Sequence, residues 1–144
     1  MPHLLAIDDD PGRYDHLADL LTARGVSLSV ACCSARVARL LPTASAVLLD
    51  YDLDGGEACG CRTMPERARA IVYVDAIAAA KVPVVVVSTS ARPNRRALID
   101  ALVAREVYTA IFPASDPDPE LRWLGWLWTR GVLDPDPKVK DMNL

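Results

Sequence analysis

The chain has 144 residues, 51 % of them hydrophobic and 24 % charged, with a formal net charge of −3. That balance describes one globular domain with an ordinary core rather than a disordered chain, and it offers no basic field to nucleic acid or an anionic membrane. Apolar runs such as 82–87 are far too short to cross a bilayer. Met1-Pro2-His3 has no basic n-region and Asp8, Asp9 and Asp10 interrupt the first apolar segment, so the expected location is the cytoplasm.

Taken in order, 3–8 (HLLAID) reads as a first strand, and 11–24 as a helix with Pro11 in its first turn, Leu17, Leu20 and Leu21 on one face and Gly25 as the stop. A second strand follows at 26–31 (VSLSVA), then a short helix at 34–41 with Ser34 as N-cap and Pro42 as terminator. The third strand is 45–50 (SAVLLD). After it comes a long, Gly-rich connection at 51–65 (YDLDGGEACGCRTMP). A helix over 66–81 carries Ile71, Val74 and Ile77 or Ala78 as its stripe, and 83–88 (PVVVVS) is a fourth strand. A helix over 94–105 has Asn94 as its cap and turns Leu98, Ile99, Leu102 and Val103 inward, before a fifth strand at 106–111 (EVYTAI). The last helix, 118–130, begins with Pro119 and acidic residues and stops at Gly131, leaving 132–144 as a polar tail.

Five strands alternating with helices predict a single α/β domain over 1–131, a doubly wound parallel sheet in a three-layer sandwich. Almost wholly apolar strands suit a parallel sheet covered on both faces, and right-handed connections place helices on both of them.

In such sheets, ligands bind outside the carboxyl ends of the strands, and there the acids collect. Strand one stops in Asp8-Asp9-Asp10 and strand three in Asp50-Tyr51-Asp52. If these strands are neighbours, Asp8, Asp9 and Asp50 converge. Ionised carboxylates so placed call for a hard cation. Magnesium suits them, because it takes one or two carboxylates, a carbonyl and several waters. Asp10, next to Pro11, is better read as a helix start. Strand four ends in Ser88-Thr89-Ser90, whose hydroxyls either donate to phosphate oxygens or bond locally to the backbone. Cys32-Cys33 and Cys59-x-Cys61 lack zinc-ligand spacing and His3 and His16 fall elsewhere, so the thiols read as reduced and structural.

LLAIDDDP, AVLLDYDLDGG and PVVVVSTSA, in that order at strand ends, resemble the receiver domain of two-component response regulators over about residues 3–130. The resemblance implies a flavodoxin-like fold. It makes Asp8 and Asp9 the metal-binding acid pair, Asp50 the phosphorylatable aspartate, Ser88 the hydroxyl that senses the phosphoryl group and Asp52 the source of a metal-binding carbonyl. Receivers end strand five with a lysine before a proline; here Phe112 precedes Pro113 and cannot neutralise phosphoryl charge. DDDPGR and LDYDLDGG are also similar to a divergent receiver-like branch proposed to process cyclic phosphates. Tyr51 and Ser88-Thr89 stand where that branch has histidines, and Asn94 is displaced.

Trp123, Trp126 and Trp128 share the last helix, more than one inward stripe needs, which leaves an indole for a contact surface. The receiver analogy implies a homodimer through the last strand and helix. The expected function is a stand-alone receiver-like module, with a divalent cation in its acidic pocket and a phosphoryl group on Asp50, assisted by Ser88 or Thr89, that acts through a partner protein. A metal-dependent phosphoesterase for cyclic or nucleotide phosphates, and a receiver-like protein-binding module without chemistry, are the alternatives.

Overall fold

The most apolar runs of the chain form the sheet. In a computed structural model, which describes residues 2–8, 14–23, 25–31, 34–50, 70–88 and 92–113, the strands are β1 (His3–Ile7), β2 (Ser27–Ala31), β3 (Ala46–Asp50), β4 (Val84–Ser88) and β5 (Thr109–Pro113). The helices are α1 (Asp15–Thr22), α2 (Ser34–Leu40), α3 (Val74–Ala80) and α4 (Arg92–Ala104). All strand pairs are parallel, in the order β2-β1-β3-β4-β5. The chain direction across the sheet reverses between β1 and β3, the switch point at which such folds place their ligands.

Alternate residues of each strand feed two cores. Leu5, Ile7, Val47, Leu49, Val84 and Val86 pack with Val37 of α2, Val74 and Ile77 of α3, and Leu98 and Leu102 of α4. On the other face Leu4, Ala6, Ala46, Leu48 and Val85 pack with Tyr14 and with Leu17 and Leu21 of α1. Each fully buried Leu, Val or Ile side chain contributes about 1.5–3 kcal/mol over an exposed one. The central strands are accordingly apolar throughout, whereas Ser27–Val30 of the edge strand β2 are only half-buried.

The helix ends differ from expectation in instructive ways. Gly25 stops α1 as expected: at φ 73° it lets its own N–H donate to Thr22 and that of Val26 to Leu21, a Schellman closure. α4 closes in the same pattern, with Glu106 to Val103 and Val107 to Leu102, but the left-handed residue is Glu106 at φ 59°. Residue 106 is therefore a helix terminator rather than the start of a strand, and β5 runs 109–113 instead of 106–111. α4 starts at Arg92, so Asn94 lies within its first turn and is not the cap. Val103, expected inside, is 60 % exposed. Ser34 is the first residue of α2, and Pro42 belongs to a 3₁₀ turn (Leu41–Thr43) that extends it. The expected third helix opens as a 3₁₀ turn (Ala70–Tyr73) before α3, whose inward residues are Val74 and Ile77.

No helix among the described residues is long and apolar enough to cross a membrane. The expected helix at 118–130, its tryptophans, the four cysteines and the boundary at 131 lie outside the described residues.

Candidate functional site at the carboxyl ends of β1 and β3

Asp8 extends β1 by one residue, its N–H donating to the Ala31 carbonyl of β2 at 3.1 Å. Ile7 pairs with Leu49 across the β1–β3 ladder, so the next step sets Asp8 beside Asp50. Strand alternation continues Leu4 and Ala6 to Asp8, and Ala46 and Leu48 to Asp50, on the face covered by α1. Both carboxylates are buried, Asp8 fully and Asp50 to 94 %, since 6 % of it is exposed. Two buried acids on adjacent central strands are the unusual feature of an otherwise apolar sheet, because a carboxylate leaves water only for compensating partners.

Asp8 has one such partner in Tyr14, whose hydroxyl donates to Asp8 Oδ2 at 2.6 Å. Tyr14 precedes α1 and packs with Leu17 and Leu21, so the helix that covers this face also delivers the phenol. Sequence reasoning missed this contact. Its only signal was an aromatic residue with a polar tip just after the acidic run, where a buried hydroxyl needs an acceptor.

Of the other expected site residues, Ser88 ends the shared row one position beyond Val87, and Val87 is the backbone partner of Asp50. Asp9, Asp52 and Thr89 lie outside the described residues. Val87 pairs in turn with Phe112, so Asp50, Val87 and Phe112 form one row across β3, β4 and β5. The backbone thus carries Phe112 to the level of the acids.

The donor set fits a hard cation: two carboxylates at one level, offering oxygen ligands of the kind magnesium accepts. Among the described residues no group of three or more His, Cys, Asp or Glu gathers, so Asp8 and Asp50 are the described part of the expected acidic cluster. His3 belongs to the opposite edge of the sheet. Its ring nitrogens lie 2.8 Å from Ser29 Oγ and 3.1 Å from Thr43 Oγ1, tying β1 to β2 and the 3₁₀ turn. A cleft of about 330 Å³ lined by Lys81, Arg105, Glu106 and Tyr108 also opens at that edge, where α3 and α4 end, and is separate from the acids.

No protein-family model matches the chain. A comparison with curated proteins finds no match either. Solved structures do match. The receiver domain protein (CheY-like) of Methanospirillum hungatei superposes with a TM-score of 0.62 at 12 % identity, covering 92 % of this chain and 94 % of that one. The receiver domain of TorR, the response regulator of the TMAO respiratory system, gives 0.62 at 19 % identity over 90 % and 98 %. The chain has the receiver fold. The beryllofluoride-activated receiver domain dimer of NtrC4 agrees, at a TM-score of 0.62 and 14 % identity over 93 % and 98 % of the two chains. At such identities the likeness concerns the receiver fold alone, and the chemistry has to be argued from Asp8 and Asp50.

Proposed function

We propose that this chain is an atypical receiver-like signalling module whose pocket between β1 and β3 holds a divalent cation, magnesium, and whose Asp50 accepts a phosphoryl group. The observation that carries the reading is the burial of Asp8 and Asp50 side by side at the switch point of the sheet. Asp8 and Asp50, with Asp9 and the Asp52 carbonyl, would hold the cation, which when bound offsets negative charge on phosphoryl oxygens. Asp50 then attacks phosphorus through one carboxylate oxygen. The P–O bond to the donor breaks, the leaving group keeps the electron pair, and an acyl phosphate remains on Asp50. Ser88 or Thr89 donates a hydrogen bond to that group. Output passes to a partner protein, and the NtrC4 receiver dimer makes a second copy of this chain the first partner to test.

Phe112 favours a second reading. An apolar residue in the row of Asp50 supplies no cation for phosphoryl oxygens, as a module that only binds protein would allow. Incubation with magnesium and a small acyl-phosphate donor, followed by intact mass, separates the two. The first reading expects one added phosphoryl group in the parent and none in Asp50→Asn. An unmodified parent at saturating metal selects the second, and turnover of a 2′,3′-cyclic nucleotide would select the phosphoesterase.

A further inference from the structure

The Tyr14 phenol fixes one end of the Asp8 carboxylate, and this bears on which cation the pocket takes. We propose that Tyr14 is a positioning residue that makes the pocket prefer magnesium to calcium; the inference rests on reading Asp8 and Asp50 as a cation site.

The contact is made away from water. Asp8 is fully buried and Tyr14 is 9 % exposed, and 2.6 Å is the length of a hydrogen bond from a hydroxyl to an ionised carboxylate. The phenol cannot swing aside easily. Tyr14 holds the N-cap position of α1, and its ring is packed with Leu4, Ala6, Leu17 and Leu21. A carboxylate whose Oδ2 is committed to a rigid donor meets a cation through its other oxygen, directly or across a water. Magnesium accepts that arrangement, since it takes single oxygens in a tight octahedron and keeps several waters. Calcium gathers six to eight oxygens and gains from carboxylates that chelate through both. The Tyr14 bond opposes such chelation by Asp8. Removing the hydroxyl keeps the ring and its packing but frees the carboxylate to turn.

The test is calorimetric titration of the whole chain with magnesium chloride and with calcium chloride, for the parent, Tyr14→Phe and Asp50→Asn. Metal-free circular dichroism verifies that each is folded. The parent should bind magnesium more tightly than calcium. Tyr14→Phe should keep magnesium binding and narrow the magnesium-to-calcium affinity ratio by about tenfold, mainly through tighter calcium. A merely structural role for the hydroxyl would weaken both ions alike and leave the ratio unchanged, which overturns the proposal. Where Tyr14→Phe does not fold, Tyr14→Met, which fills the space without a donor, is read the same way. A parent that binds no magnesium sinks the cation pocket itself. Loss of binding in Asp50→Asn together with an unchanged ratio in Tyr14→Phe sinks only the role of Tyr14.

Discussion

Asp8 and Asp50 occupy one level of the sheet: Asp8 follows Ile7, Asp50 follows Leu49, and Ile7 and Leu49 are partners in the parallel β1–β3 ladder. Without a cation, two buried carboxylates so placed repel each other. Asp50→Asn should therefore stabilise the metal-free protein by about 1–2 kcal/mol. It should also abolish the stabilisation of about 2.7 kcal/mol that magnesium at a hundred times its dissociation constant gives the parent. Urea unfolding with and without magnesium reads both quantities. A metal-free Asp50→Asn less stable than the parent would show that the two acids do not repel.

Phe112 shares its row with Asp50 through Val87. A lysine there starts from the level at which phosphoryl charge would develop. Phe112→Lys should raise the fraction of chain phosphorylated by a small acyl-phosphate donor by at least about tenfold, below the roughly 10²–10³ of a fully preorganised donor. Intact mass over a time course measures it, and an unchanged yield would show that the missing lysine is not what limits the reaction.

Leu102 and Val103 are neighbours in α4 with opposite surroundings. Leu102 is fully buried against Leu98 and the sheet, whereas Val103 is 60 % exposed. Leu102→Ala should cost about 2–5 kcal/mol, through lost transfer energy and the cavity left behind. Val103→Ala should stay within about 0.5 kcal/mol. Denaturant midpoints of the two variants check this without any assumption about function.

Gly25 and Glu106 perform the same backbone task, closing α1 and α4 at φ 73° and 59°. Only glycine does so without a steric cost from Cβ. Glu106→Gly should raise stability by about 1 kcal/mol and Gly25→Ala should lower it by about as much. A Cβ at Gly25 would meet no atom within 4 Å, so the second cost lies in the backbone alone. Thermal unfolding of both variants should show shifts of opposite sign.

The strands were readable because they are short, apolar and β-branched, and burying both faces of a parallel sheet demands that composition. The acids at the ends of β1 and β3 were readable for the converse reason: charge after an apolar run stands out. The start of β5 was not. Val107 and Tyr108 have strand character, but the hydrogen bonds of Glu106 and Val107 back to α4 hold that stretch in the helix closure. Pro113 looked like a terminator and instead lies in the strand, which the edge position of β5 permits. Inward and outward residues of α4 were mistaken at Val103, because hydrophobicity marks what a helix can bury and not which turn reaches the sheet.

The sequence by itself determined the alternation of strands and helices, and the presence of acids where parallel strands end. Only the tertiary structure decided that β1 and β3 are neighbours, because strand order depends on how crossovers pack and not on any local run. It also decided that the partner of Asp8 is Tyr14, six residues along the chain yet delivered by the helix that folds back over β1. A short-range contact of this kind is fixed by the angle at which α1 meets the sheet, and that angle is set by the burial of Leu17 and Leu21.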